Sequence, residues 1–338
     1  MQMVRLDLDD FSLSSVLPDS FVIEQVDGDF VEVVISLQGV NIYTAKLYES
    51  SGIATFYELR QIVEQNMIAR GLSLAALSVT AAHGDVSEQI TGKYIVFSRY
   101  RNTEEFSIDF LESHFLVNRS YYTMPRDRSA TVPLFSTGEE ELTLVYDCVF
   151  MRDDGLFTCR LHEAMSHAPN PYIYNISVSP LAVKVAAERE VGEDCGQLLS
   201  FSLSVGERSL DVFVVDGEPC AHFYFRNSYN AEESVFVFGA SKFKTEIGRK
   251  EAISQHVTSF YDKTVSRKWE VETVPLSQEE ALWFNEFLES DHVTAEVSTE
   301  MARQDILIAD ITSEISDSAK DLVTVKFSYR FTDNARWL

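Results

Sequence analysis

The sequence predicts a mainly β protein, with antiparallel β-sandwich or barrel-like domains in series and two or three short helices. Short runs rich in Val, Ile, Phe and Tyr recur along the whole chain, and apolar and polar residues alternate within them. Turn residues such as Asp-Gly separate many of these runs. The chain has 338 residues, more than one hydrophobic core usually organises, so more than one domain is expected.

Residues 1–85 are predicted to form a β domain with one packed helix. Three strand-like runs, FVIEQV, FVEVVISL and VNIYTAKLY, come first and are separated by turn residues. Residues 56–70 then change to a helical period with one apolar face, and Gly71 follows as a stop signal. The small and polar residues of segment 81–92 predict the first domain boundary.

Residues 86–168 are predicted to form a β-rich middle domain with a short helix in the run SIDFLESHF. Residues 169–185 contain three prolines, which disfavour central strands and predict an extended connector or an edge. Residues 186–338 are predicted to form a β-meander domain, because four strand-like runs follow each other across short turns. A capping box predicts a helix near residues 277–290.

The four cysteines predict free thiols rather than a redox motif or a zinc site, since no Cys-x-x-Cys pair is present. Cys148 and Cys159 flank a predicted hairpin turn. A two-residue loop at Asp154-Gly155 would make the two thiols diagonal neighbours, which is poor disulfide geometry. We therefore expect free thiols in a reducing compartment.

The net charge of −25 bears on the partners of the protein. Such an acidic chain repels phosphate groups, so neither a nucleic acid nor an anionic membrane is an expected partner. The N-terminus reaches Asp7, Asp9 and Asp10 before any apolar stretch of signal-peptide length, which predicts no secretory signal. No run approaches the roughly 20 apolar residues of a membrane helix, so a soluble protein is expected.

The sequence predicts no catalytic residues, no cofactor and no metal site. His162 and His167 are five residues apart, whereas a zinc-protease helix needs two histidines four apart on one face. The acidic clusters do not continue as calcium-binding loops. Nucleophile elbows and glycine-rich phosphate loops are absent from the sequence.

Two kinds of segment predict interaction surfaces. The run FYFRNSYNAEESVFVFG, residues 223–239, places aromatic strands on both sides of a polar turn, which can fill a core on one face and present a platform on the other. Two basic islands stand out in an acidic chain: the first is Arg99 and Arg101, and the second is Lys242, Lys244, Arg249 and Lys250. They could contact an acidic neighbouring subunit, or could be ordinary solvated charges on strand edges. The candidate interaction residues are Phe223, Phe225, Asn227, Tyr229, Arg99, Arg101, Lys242, Lys244, Arg249 and Lys250.

The same aromatic run, the later LSQEEALWFNEFLES segment and the closing ILIADITSEI and LVTVKFSYRF runs resemble tail- or baseplate-associated structural proteins of Bacteroidales-type phages and prophages. The N-terminal run VNIYTAKLYESSGIATFYELRQIVE is similar to the start of those proteins. The resemblance covers about half of the chain in the same order, and SYNA stands where a Gly-containing turn is expected. It implies a non-enzymatic structural component of a virion, assembled in the bacterial host cytoplasm as a homo-oligomer with other structural subunits.

Two alternatives remain open at this point. The tyrosine-rich loops RSYYTMP and NPYIYN have the composition of a carbohydrate or cell-surface binding module. The stacking residues would be Tyr121, Tyr122, Tyr172 and Tyr174. The other alternative is a hydrolase whose active site carries no recognisable motif.

Overall fold

The computed structural model describes residues 2–4, 6, 8–24, 26, 28–99, 107–138, 141–166, 168–254, 257–297, 302–312 and 322–332. Within these ranges the protein is mainly β, with several antiparallel sheets and four short α-helices. This confirms the predicted fold class, although the number of helices exceeds the predicted two or three. None of the helices in these ranges is long and apolar enough to cross a membrane.

The strands are numbered in chain order. The first eight are β1 (Gln2–Val4), β2 (Phe11–Leu13), β3 (Ser20–Glu24), β4 (Phe30–Leu37), β5 (Val40–Tyr48), β6 (Ile53–Tyr57), β7 (Leu74–His83) and β8 (Val86–Val96). The next seven are β9 (Tyr121–Pro125), β10 (Ala130–Ser136), β11 (Thr143–Arg152), β12 (Gly155–Ala164), β13 (Tyr172–Val178), β14 (Gln197–Val205) and β15 (Arg208–Val215). The last seven are β16 (Ala221–Arg226), β17 (Glu232–Val237), β18 (Gly239–Ser254), β19 (Val257–Thr273), β20 (Val293–Val297), β21 (Ala302–Thr312) and β22 (Lys326–Phe331).

The helices are α1 (Leu59–Arg70), α2 (Ser107–Ser113), α3 (Pro180–Val191) and α4 (Gln278–Glu289), and a 3₁₀ turn covers Ser14–Val16. Helix α1 begins three residues later than predicted, because Glu58 has a φ of 68° and Phe56 belongs to β6. Helix α4 begins with the predicted capping box, in which Ser277 and Glu280 bond to each other's backbone N–H groups.

The N-terminal unit packs two sheets and α1 around one core. Its five-stranded sheet has the order β2-β8-β7-β4-β5, and the three-stranded sheet has the order β1-β3-β6. Strands β7 and β8 pair as a hairpin from Leu74 to Val96. The boundary predicted at residues 81–92 falls inside this hairpin, so residues 86–96 belong to the first sheet. The polar composition that suggested a linker is that of an exposed hairpin turn.

The middle unit contains a five-stranded sheet with the order β12-β11-β14-β15-β9. The pair β10-β13 and helix α3 contribute to the same core. Residues 169–185 were predicted to be an extended connector or an edge, but they contain strand β13 and the start of helix α3. The signal for α3 is in the sequence: Ser179 accepts a hydrogen bond from the Ala182 N–H, Pro180 follows at the first helical position, and Gly192 ends the helix with a φ of 81°.

The hairpin β11-β12 closes one residue earlier than predicted. Arg152 pairs with Gly155, so the two loop residues are Asp153 and Asp154. As a consequence, Cys148 lies directly opposite Cys159 instead of diagonally from it. The prediction of a diagonal thiol pair was wrong, because the loop position sets the register of the whole hairpin.

The C-terminal unit contains a seven-stranded sheet with the order β17-β16-β20-β21-β22-β19-β18, and α4 packs on one face of it. The predicted four-stranded meander does not form. Strands β14 and β15 pair in the middle sheet, whereas β16 and β17 pair in the C-terminal sheet. The break follows from competing partners, since β15 pairs in parallel with β9 and β16 pairs with β20.

Candidate functional site

The aromatic strands of the 223–239 hairpin are core, which corrects the prediction that they form a surface. Phe223 and Phe225 are 0% and 1% exposed. The Phe223 ring lies 5.1 Å from the rings of Phe287 in α4 and Tyr329 in β22. Both faces of a strand in the interior of a sheet can be covered, and here α4 covers the face that carries these rings.

The turn of this hairpin is also buried, because it joins the three units. The Asn227 side chain donates to the Leu116 carbonyl at 2.7 Å. The Asn230 side chain donates to the Leu72 carbonyl at 3.0 Å in the first unit. Tyr229 belongs to a small apolar cluster with residues of the first and middle units. Asn227 and Tyr229, each 3% exposed, are thus a contact between units rather than an outer surface.

The position of Asn230 explains how a turn without glycine works here. Its φ of 53° lies in the left-handed region, which asparagine tolerates better than most residues. The side chain donates to the carbonyls of Met67 and Leu72, at the C-terminal end of α1. Asn230 therefore supplies the turn geometry of a glycine and also a contact that glycine lacks.

A buried carboxylate lies next to this turn. Glu233 is 0% exposed and accepts hydrogen bonds from the Tyr122 hydroxyl at 2.8 Å, the Trp283 indole N–H at 2.9 Å and the Asn227 amide at 3.0 Å. The Arg119 guanidinium lies 3.9 Å from the same carboxylate. It is stacked between two rings, 3.7 Å from the centre of Tyr122 and 3.6 Å from that of Trp283.

The electrostatics of this cluster follow from its burial. Desolvation raises the pKa of Glu233 to about 7, against the opposing effect of Arg119 and the hydrogen-bond donors. Burial and the neighbouring carboxylate also raise the pKa of Tyr122 well above its ordinary value. The acceptor positions of Glu233 are used by groups of the protein itself, so the cluster serves to fasten β9, β17 and α4 together.

Sequence reasoning did not find the Glu233 cluster, although one signal for it exists. Glu233 lies on the same face of β17 as the buried Val235 and Val237, so an acidic residue stands where an apolar one is expected. Its partners Arg119 and Trp283 are far away in the chain. Only the folded protein brings them together.

The C-terminal unit carries a long, exposed hairpin formed by residues 239–273, which we call the arm. Strands β18 and β19 have 16 and 17 residues and pair along their length. Strand β19 pairs with β22 only from Trp269 to Glu272, and β18 is the outer strand of the sheet. Beyond the pair Phe243–Trp269, the arm is therefore paired with no other described strand, and it extends roughly 35 Å at about 3.3 Å per residue.

One face of the arm carries apolar residues that continue the core of the sheet outward. In the core, the Trp269 ring stacks on Tyr329 at 5.4 Å. Farther out, Phe243 and Ile247 are 55% and 50% exposed, and Val265 lies opposite Ile247. We call Phe243, Ile247 and Val265 the apolar stripe. Exposed rows of this kind on an open strand edge are typical of a surface that pairs with another chain.

The opposite face of the arm carries most of the second basic island. Lys244 contacts Glu270 at 2.6 Å, and Lys250 contacts Asp262 at 2.9 Å. Arg249 lies instead on the face of the apolar stripe, and its guanidinium is 5.1 Å from the centre of the Phe260 ring. Lys242, Lys244, Arg249 and Lys250 are all exposed, so the structure places this island on an accessible surface.

The arm also differs in charge from the rest of the chain. Its sequence contains seven Lys and Arg residues against five Asp and Glu residues, a net charge of +2 within a chain of net charge −25. A second copy of the chain would therefore offer the arm a surface of opposite sign. Of the first basic island, Arg99 is exposed, and Arg101 lies outside the described residues.

The four tyrosines of the carbohydrate alternative do not form one surface. Tyr122 is 1% exposed and belongs to the Glu233 cluster, so its predicted role as a stacking ring was wrong. Tyr121 is half-buried, and its hydroxyl lies 3.2 Å from that of Ser277. Tyr172 is 53% exposed on β13, and its ring packs edge-on to Tyr174 at 5.2 Å.

In the part of the chain that the structure describes, no group of three or more His, Cys, Asp or Glu side chains could hold a metal ion. His162 lies on the edge strand β12, and His167 lies outside the described residues.

Comparisons with known proteins do not identify a family. No family model matches the chain, and no curated protein matches it. Among solved structures, the chain is similar to one described as the Plexin A4 full extracellular region, with 8% sequence identity and a TM-score of 0.21. That match covers 95% of this chain and 35% of the other, so the chain spans about a third of the length of that protein. A TM-score this low carries no argument about fold or function.

Proposed function

We propose that the protein is a non-enzymatic structural subunit of a phage-like tail or baseplate, and that it assembles with further copies of itself through the arm. The observation that carries this proposal is the outer part of the arm, which pairs with no other described strand and carries the exposed apolar stripe. A two-stranded hairpin alone in water is marginally stable, so a hairpin of this length favours a partner that covers it. The resemblance of about half of the chain to phage tail proteins supplies the kind of particle.

Beside the apolar stripe, two further features support assembly. No described strand pairs with the outer edge of β18, which is 16 residues long and thus long enough for strand addition by a neighbour. The apolar stripe provides area to bury, and the basic island provides contacts for an acidic surface. Assembly in the host cytoplasm and residence in the virion follow from the proposed role, with other subunits of the particle as additional partners.

Truncation of the arm tests the proposal. Replacing residues 244–268 with Asn-Gly would close a short hairpin on the facing residues Phe243 and Trp269 and would keep the pairing of β19 with β22. The mass of each protein in solution is measured by light scattering over a range of protein and salt concentrations. We expect an oligomer of defined mass for the full chain and a monomer for the truncated variant. The circular dichroism spectrum of the truncated variant should still be that of a folded, β-rich protein.

Charge reversal provides a matched control that leaves the hairpin in place. Lys242→Glu with Lys250→Glu should reduce assembly, whereas Lys93→Glu and Lys184→Glu, which lie outside the arm, should leave the mass unchanged. The same number of subunits per particle for the full chain and the truncated variant under all conditions would contradict assembly through the arm.

A carbohydrate-binding module is the second candidate, and the exposure of Tyr172 beside Tyr174 supports it. Tyr172→Ala should weaken binding to any glycan recognised on an array by about tenfold, the equivalent of about 1.4 kcal/mol. Tyr48→Ala is the control, because Tyr48 is 75% exposed on β5 in another unit. Binding that survives Tyr172→Ala, or an array with no bound glycan, would count against this candidate.

A further inference from the structure

The hairpin β11-β12 brings two thiols together at the outer edge of the middle sheet. Cys148 and Cys159 occupy directly opposite positions, so their side chains project from the same face of the sheet. Opposite residues of an antiparallel pair have Cα atoms about 4.5–5.5 Å apart, which lies within the range of about 4.4–6.8 Å that a disulfide spans. The backbone therefore needs no rearrangement to bring these two sulfur atoms within bonding reach.

The two thiols differ in accessibility, which assigns them different roles. Strand β12 is the outermost strand of its sheet, and Cys159 on it is partly exposed. Cys148 is 1% exposed and lies on β11, between β12 and β14 in the sheet. A reagent in solution reaches Cys159 first. Burial raises the pKa of both thiols, so the thiolate needed for exchange is scarce at neutral pH and the reaction is slow.

We propose that Cys148 and Cys159 form a reversible disulfide site that responds to small-molecule disulfides such as oxidised glutathione. The Cys159 thiol loses its proton and its sulfur attacks one sulfur of the glutathione disulfide, which breaks that bond and releases one glutathione thiol. The Cys148 thiol then loses its proton, attacks the Cys159 sulfur of the mixed disulfide and releases the second glutathione thiol. Two protein thiols are oxidised and one glutathione disulfide is reduced to two thiols.

The product would link the edge strand β12 covalently to the interior strand β11. This link fixes the outer hairpin of the middle sheet and does not depend on the proposed role in assembly. Cys195 is the competing partner, because it is fully buried in the same hydrophobic core that contains Cys148 and against which Cys159 packs. It lies on the loop between α3 and β14, however, and not opposite either cysteine in a strand pair.

Mass spectrometry of the full-length protein tests the site. The protein is incubated in glutathione buffers from fully reduced to fully oxidised, the remaining thiols are alkylated, and the digested peptides are analysed. We expect a linked pair of the Cys148 and Cys159 peptides, lighter by about 2 Da than the sum of the free peptides. Cys195 and Cys220 should remain alkylated, and reduced glutathione in excess should reverse the link.

Two variants separate the steps. Cys148→Ser should stop the reaction at a glutathione adduct on Cys159, whereas Cys220→Ser should form the Cys148–Cys159 link as the unchanged protein does. The wild-type result decides the matter even where a variant fails to fold. Four alkylated thiols in the fully oxidised buffer, or a link that includes Cys195, would overturn the assignment.

Discussion

Replacing Glu233 with alanine is expected to lower the free energy of unfolding by about 3–5 kcal/mol at pH 8, a large effect for a single polar substitution. The alanine would leave the Tyr122 hydroxyl and the Trp283 indole N–H buried without their acceptor and Arg119 without its counter-charge. Urea denaturation followed by circular dichroism measures the change.

The adjacent residue provides the control for this prediction. Glu232 lies on the same strand, its side chain is 44% exposed, and it contacts Arg303 at 2.8 Å. Glu232→Ala should change the free energy of unfolding by about 0–1 kcal/mol, because exposed ion pairs contribute little. Similar losses for Glu232→Ala and Glu233→Ala would show that the Glu233 cluster does not fasten the three elements together.

The same carboxyl group gives the stability a defined dependence on pH. Below pH 4.5, the ordinary pKa, Glu233 is protonated in the folded and the unfolded protein. Between pH 4.5 and about 7 the unfolded chain releases this proton while the folded protein keeps it, so rising pH favours unfolding. The stability of the wild-type protein relative to Glu233→Gln should therefore fall by on the order of 3 kcal/mol over this interval. A difference that is constant or rises with pH would place the folded pKa at or below 4.5.

Replacing Phe223 with alanine is expected to lower the free energy of unfolding by about 3–5 kcal/mol, because a fully buried ring would leave a cavity between the sheet and α4. The control is Phe243→Ala on the arm, where the ring is 55% exposed and the expected loss is below about 1 kcal/mol. In light scattering, Phe243→Ala should reduce assembly, because it removes part of the apolar stripe from a protein that stays folded. Phe223→Ala removes no part of the stripe. A stable Phe223→Ala variant with impaired assembly would restore the hairpin at 223–239 as an interaction surface.

Local patterns in the sequence were sufficient for the class of fold and for several elements. Alternating apolar residues identified most strands, and the Ser277 and Glu280 pair located the start of α4. These features depend on neighbours within a few residues, which the sequence displays directly. Helix α3 has comparable signals in Ser179, Pro180 and Gly192, but the three prolines of residues 169–185 predict a connector.

The partners of each strand were decided only by the tertiary structure. Strands β15 and β16 follow each other in the chain yet pair in different sheets, because β9 and β20 are the better-placed neighbours. The shift of one residue in the β11-β12 loop brought two cysteines face to face, a difference that composition does not reveal.

The candidate interaction surface was also predictable only in part from the sequence. The basic residues of the arm stood out in the sequence because their charge contrasts with the acidic chain, and charge is a local property. Exposure is not local: the aromatic rings of Phe223 and Phe243 have the same chemistry, but α4 covers the first and leaves the second in solvent. The sequence by itself determined a β-rich, acidic chain with a basic segment, and long-range packing decided which aromatic residues are core and which form an open edge.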